Sequence, residues 1–74
     1  MITANYRTMP ALIATRTPFK HGSCHAYLDG DQYRVISYST LVATAQGDNL
    51  WLSDRKYSMT TSRLQNIIKR AWAL

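Results

Sequence analysis

Residues 60–74, with the sequence TTSRLQNIIKRAWAL, carry the pattern that decides the fold of this protein. Their apolar residues recur at spacings of three and four, and on a helix they cover an arc of roughly 160°. One face of this helix must therefore be buried, and the apolar segments before it are the obvious partner. This face consists of Leu64, Ile67, Ile68, Ala71, Trp72 and Leu74.

The start of the helix is predicted at Thr60, because threonine is a favoured N-cap residue. This assignment puts Met59 and Leu64 at the two positions that pack together in a hydrophobic staple. Arg63 then stands where a capping box has Glu or Gln, and no acidic residue occupies the first turn.

Upstream of the helix, β-branched and aromatic segments alternate with turn residues, which is typical of strands. Asp29-Gly30 indicates a hairpin, because glycine accepts the positive φ of a tight turn. At Ser39-Thr40 the alternation slips, which fits either a turn or a bulge in one bent strand. The predicted strands are 11–16, 23–28, 33–38, 41–45 and 50–53, with loops at 19–22 and 46–49.

Strands followed by one helix predict an α+β fold, a small antiparallel β-meander of four to five strands packed against one C-terminal amphipathic helix. Residues 1–9 have no clear period and are predicted to be a ragged lead-in. The sheet would then span 10–53 and the helix 60–74, within a single small domain of 74 residues.

The short length and the single cysteine limit the stability that this chain can reach. A domain of this size buries only about 60–65% of its unfolded surface, and one cysteine cannot form an internal disulfide. A homodimer contact is one way to add stability. No apolar run approaches the ~18–20 residues that span a membrane, and the N-terminus lacks a signal-peptide pattern. We expect a cytoplasmic protein without a membrane partner.

The net charge of +5 favours anionic partners, although it arises from a lack of acids, since there is no glutamate. The hydroxyls of residues 60–62 stand beside the unpaired N–H groups of a helix start, which resembles a seat for a phosphate or carboxylate. The simpler alternative, which we favour, is that Thr60 only caps the helix and the cations are solvated. The candidate anion-binding residues are Thr60, Thr61, Ser62, Arg63, Asn66, Lys69 and Arg70, with Arg55 and Lys56 in the preceding loop.

Metal and catalytic sites are not expected. His21, Cys24 and His25 are too few for a closed zinc site. In a strand, residues 24 and 25 point to opposite faces, which separates a Cys–His pair and favours a buried Cys24. The four acids lie in turns or at a strand end, where aspartate serves backbone geometry. We therefore predict a protein that is not an enzyme and needs no cofactor.

The aromatic residues allow two interpretations. Aromatic side chains on a sheet face can stack on the bases of RNA, but small sheets also use them as core and cross-strand pairs. Core is favoured here, because the sequence lacks the aromatic motif of RNA-recognition domains. The residues concerned are Tyr27, Tyr33, Tyr38 and Trp51.

Two segments resemble small uncharacterised proteins of tailed bacteriophages, notably those that infect actinobacteria. Residues 33–40 read Y-x-V-x-S-Y-x-T, and residues 57–63 read Y-S-x-T-T-S-R. Leu64 replaces the histidine that is usual in those proteins, while Gln65 keeps their glutamine. The resemblance covers the C-terminal half of the chain and implies a viral origin, a host-cell cytoplasmic location and a shared fold.

These observations predict a small basic accessory protein that binds nucleic acid through its C-terminal helix. The alternative is a phage inhibitor or adaptor that docks on a host protein complex, such as a defence nuclease complex, by protein–protein contacts. In the first case cationic side chains contact phosphates. In the second, exposed aromatic side chains anchor the contact.

Overall fold

The computed structural model describes residues 2–53 and 59–74, apart from the side chain of Thr60. Six strands form one sheet in chain order, with β1 parallel to β2 and all later neighbours antiparallel. The predicted α+β fold with a meander and a C-terminal helix is confirmed, with six strands instead of four to five. The elements are β1 (Ile2–Thr3), α1 (Met9–Ala14), β2 (Phe19–His21), β3 (Cys24–Asp29), β4 (Gln32–Ser37), β5 (Thr40–Gln46), β6 (Asn49–Leu52) and α2 (Met59–Ala71).

Neither described helix has the length and apolar character needed to cross a membrane.

The predicted hairpin at Asp29-Gly30 is confirmed, since Asp29 pairs with Gln32 and Gly30 has a φ of +63°. The open question at Ser39-Thr40 is answered by two features. Tyr38 and Ser39 form a tight turn with φ values of +51° and +70°. The register also shifts between Val35 and Ile36, so β5 carries one extra residue. This bulge turns both Val42 and Ala43 towards the core.

The prediction of a strand over residues 11–16 is wrong, because residues 11–14 belong to the helix α1 and residues 15–16 form the turn that ends it. A short apolar run cannot be assigned to helix or strand from its pattern alone. The local signals for a helix were Thr8 at the N-cap and Pro10 in the first turn, where a missing N–H costs nothing. Met9 and Ile13, one helical turn apart, are both fully buried.

The predictions of a ragged lead-in over 1–9 and a loop over 19–22 are also wrong. Ile2 pairs with Phe19 in the parallel β1–β2 contact, and the Ala4 N–H donates to the Lys20 carbonyl at 2.8 Å. Phe19 is fully buried, and β2 pairs antiparallel with β3 through a turn at Gly22, whose φ is +56°. Gly-Ser between two β-like runs is a hairpin signal that the sequence did contain.

Both helices contribute to the core on one face of the sheet. Leu64 and Ile68 of α2 are buried together with residues of α1 and with alternate residues of the strands.

Helix α2 differs from the prediction at both ends. It begins at Met59, which is 90% exposed and forms no staple with Leu64, so Thr60 lies in the first turn and not at the N-cap. Leu74 is exposed, because Ala73, with a φ of +54°, has already turned the chain out of the helix.

A buried chain of polar side chains connects α2 to the sheet. Ser37 Oγ lies 2.9 Å from Thr61 Oγ1, and the Cys24 thiol donates to Ser37 Oγ at 3.8 Å. All three residues are buried, and Cys24 is a free cysteine with His25 on the opposite face, as predicted. Buried hydroxyls need partners, so these contacts constrain how α2 sits on β4.

We expect Thr61→Val to lower the free energy of unfolding by about 1–3 kcal/mol, because it keeps the shape but removes a partner of the buried Ser37 hydroxyl. Thr44→Val, on the other face of the sheet, is the matched control and should change little. Urea denaturation measures both. A Thr61→Val variant as stable as the wild type would contradict the role of this hydrogen bond.

Ser39→Gly should raise the free energy of unfolding by about 0.5–1 kcal/mol, because only glycine adopts a positive φ without steric cost. Ser39→Ala keeps the Cβ atom and should show no gain. If both variants shift the urea midpoint equally, relief of backbone strain is not the cause.

Candidate anion-binding groove

The predicted anion seat at the start of α2 is only partly available to a ligand. Thr61 is 2% exposed and its hydroxyl faces Ser37, so the prediction that it contacts a ligand is wrong. Ser62 is half-buried. The backbone of Thr60 lies in the first turn, while its side chain, with Arg55 and Lys56, lies outside the part of the chain that the structure describes.

Three other predicted residues converge on one groove beside α1. Arg63, Asn66 and Arg70 recur at spacings of three and four, so they lie along one side of α2. All three are exposed. They line a groove of about 530 Å³ together with Tyr6, Pro10, Ile67 and Ala71. Lys69 is exposed but does not line this groove.

Tyr6, which was not among the predicted site residues, forms the wall opposite the cations. The Arg63 guanidinium lies 4.1 Å from the centre of the Tyr6 ring, and His21 meets the same ring edge-on at 4.9 Å. The turn before α1 places Tyr6, because the Asn5 Oδ1 accepts the N–H groups of Arg7 and Thr8 at 2.9 and 3.0 Å. Asn5, Thr8 and Pro10 were the sequence signals for this turn.

The Arg63 guanidinium lies over the Tyr6 ring at cation–π distance, a contact that does not use its N–H groups. A guanidinium on an aromatic face gains cation–π attraction, while its five donors around the edge remain available for a planar or tetrahedral anion. Arg70 sits two helical turns further on, ~10 Å along the axis. The groove therefore offers two guanidinium groups and one amide to the same anionic ligand.

The described carboxylates lie at the other end of the sheet. Asp31 and Asp48 occupy the β3–β4 and β5–β6 turns, and Gln46 Nε2 donates to Asp31 Oδ1 at 2.9 Å. Asp29 lies 3.3 Å from the Arg34 guanidinium. The start of α2 adjoins Ser37, at the opposite end of β4. One strand length of ~17 Å exceeds the Debye length of ~8 Å, so these acids do little to offset Arg63.

Among residues 2–53 and 59–74, no three His, Cys, Asp or Glu side chains are close enough to hold a metal ion.

Of the four candidate aromatic residues, Tyr33 lies in the core, and its hydroxyl donates to the Thr17 carbonyl at 2.9 Å. Burial raises the pKa of Tyr33 above its ordinary value. Tyr38 and Trp51 are 58% and 47% exposed, so the prediction that these aromatics are core residues is wrong for both.

We expect Tyr6 and Arg63 to be energetically coupled by about 0.5–1 kcal/mol, the size of an exposed cation–π contact. A double-mutant cycle of Tyr6→Leu with Arg63→Met, followed by urea denaturation, measures this coupling. The same cycle with Lys69→Met serves as control and should give a value near zero. Equal coupling in the two cycles would show that the stacked geometry contributes nothing specific.

One family model matches this chain, that of a family of unknown function, DUF8033, over residues 8–71. Comparison with curated proteins and with solved structures gave no significant match. The matched span takes in α1, the meander and α2, and with them most of the residues that line the groove. The chain therefore belongs to the DUF8033 family.

Proposed function

We propose that this protein is a non-enzymatic, phage-type accessory protein that binds nucleic acid through α2. The observation that carries the proposal is the convergence of Arg63, Asn66 and Arg70 on one groove against Tyr6. Cationic and amide side chains of this kind contact phosphate oxygens and position a protein on a nucleic acid without reading its sequence.

Several features of α2 support a polyanion over a single small anion. The helix has no acidic residue in its first turn, and Lys69 and Arg70 stand in its last turn. Its outward cations are spread along the helix and are not gathered around one enclosed point, which suits a charged backbone that passes along the surface. Counterion release from such a backbone supplies most of the non-specific affinity.

The second candidate is docking on a host protein, and one observation favours it. Among the described residues, two large apolar side chains are exposed at the end of the molecule where β4 meets α2, namely Tyr38 at 58% and Met59 at 90%. Aromatic and Met side chains are enriched at protein interfaces. Binding of this kind would depend on Tyr38 and Met59 and would survive nuclease treatment.

Fluorescence anisotropy of labelled DNA and RNA oligonucleotides with the purified protein tests the first proposal. With about three to five phosphates neutralised, the log–log dependence of affinity on salt should have a slope of roughly −2 to −4.5. Arg63→Gln and Arg70→Gln should each weaken binding about tenfold and make the slope shallower by about 0.7–0.9.

Arg16→Gln is the matched control, because it removes the same charge at a site outside the groove. The Arg16 guanidinium donates to the Gly47 carbonyl at 2.6 Å, at the end of the sheet that carries the aspartates. If Arg16→Gln weakens binding as much as Arg63→Gln, net charge and not the groove is responsible. No binding by the wild type at ~100 mM salt would reject the nucleic-acid proposal. The next experiment would then be affinity purification of host proteins that bind the surface around Tyr38 and Met59.

A further inference from the structure

The face of the sheet opposite the helices is built from a regular array of aromatic, apolar and cationic side chains. Alternation along each strand sends one set of residues to the core and the next to this face. On β3 and β4 the core receives Cys24, Ala26, Tyr33, Val35 and Ser37. The residues that alternate with these on β3 and β4 point to the other face, as do their cross-strand partners on β2, β5 and β6. We call this surface the open face; its residues are Lys20, His25, Tyr27, Arg34, Ile36, Leu41, Thr44 and Trp51.

The strand register places one aromatic ring at each end of a row of four cross-strand partners. Tyr27 pairs with Arg34, Arg34 with Thr44, and Thr44 with Trp51. Three strand spacings separate the two rings, or ~14 Å. The rings therefore do not cover each other, and a cation and a hydroxyl lie between them.

Cross-strand aromatic pairing does not explain why Tyr27 and Trp51 occur in this row. Cross-strand aromatic pairs stabilise a sheet when the rings lie directly opposite each other, which is not the case here. Trp51 stands on the edge strand β6 with 47% of its surface exposed. Tyr27 does stack, but on His25, at 5.9 Å and an interplanar angle of 22°, which extends the flat aromatic surface along β3.

We infer that this open face binds the bases of single-stranded nucleic acid, with Tyr27 and Trp51 as stacking platforms. The choice of occupant follows from charge. Lys20 is an exposed cation of this face, and Arg34 carries a second positive charge, which it shares with Asp29 while its Nε donates to Gln32 Oε1 at 2.7 Å. The one described carboxylate in the outward-facing pairs, Asp29, lies at the end of the face in an ion pair with Arg34. Stacking of bases on aromatic rings beside a positive surface is the general mode of single-strand binding.

This inference rests on the proposed function and narrows it, because it specifies unpaired strands as the ligand. A duplex keeps its bases stacked on one another and cannot offer them to Tyr27 or Trp51. A single strand has unpaired bases that can stack on the rings of the open face. DNA and RNA share this chemistry, so both are tested.

The experiment compares labelled oligo-dT and oligo-U with a duplex of equal length, by anisotropy at several salt concentrations. Tyr27→Thr and Trp51→Thr keep a strand-forming residue and remove a ring. Each should weaken single-strand binding roughly 5- to 100-fold, leave duplex binding unchanged, and leave the salt slope unchanged because no charge is lost. Tyr27→Phe should bind like the wild type.

Two neighbours on the opposite face provide matched controls. Leu28→Thr and Leu50→Thr remove exposed apolar side chains, 51% and 37% exposed, from the same two strands. They should leave binding unchanged, and circular dichroism verifies the fold of all variants. If Tyr27→Thr and Trp51→Thr bind single strands like the wild type while Arg63→Gln binds weakly, the inference is overturned and the groove proposal stands. If the wild type binds no oligonucleotide, both are rejected.

Discussion

Burial of the apolar side of α2 is the interaction on which the rest of the structure depends. Leu64 and Ile68 close the core over the sheet, and Ile67, Ala71 and Trp72 pack around its margin, where the Trp72 indole N–H donates to the Ile13 carbonyl at 3.2 Å. In a chain this short, apolar burial has little surplus over conformational entropy. The sheet therefore needs both helices on one face, and the hydrogen bond between Ser37 and Thr61 fixes where α2 lies on it.

This packing has a direct consequence for function. Once Leu64 and Ile68 point inward, the helical period leaves Arg63, Asn66 and Arg70 on the side next to α1. The turn before α1 holds Tyr6 at that position, and the two features form the groove. Because both described helices pack on one face of the sheet, no helix of residues 2–53 and 59–74 covers the other face. Both proposed nucleic-acid surfaces thus arise from one requirement, the burial of a single sheet face.

The bulge in the β4–β5 hairpin also contributes to this core. The extra residue on β5 sends both Val42 and Ala43 inward, which increases apolar burial where α2 contacts the sheet. The turn at Tyr38 and Ser39 places two non-glycine residues at positive φ. Such strain persists only where the surrounding structure holds it, and here the Tyr38 N–H donates to the Ser23 carbonyl at 3.1 Å.

Much of this protein followed from local patterns in the sequence. The apolar stripe of α2, the three central strands, the hairpin at Gly30 and the opposite orientation of Cys24 and His25 depend on periods of 3.6 and 2 and on turn chemistry. Arg63, Asn66 and Arg70 were candidates for the same reason. The short elements α1 and β2 could not be assigned from pattern, because six or three residues fit both helix and strand until packing selects one.

Only the tertiary structure decided which surfaces are available. It buried Thr61 and exposed Met59, although local pattern assigned them to a ligand seat and a hydrophobic staple. It also brought Tyr6 to Arg63 across 56 intervening positions in the chain, and aligned Tyr27 with Trp51 through two intervening strands. Sequence period fixes which side of an element is apolar, whereas contacts between distant segments depend on how the elements pack, and no local pattern encodes that arrangement.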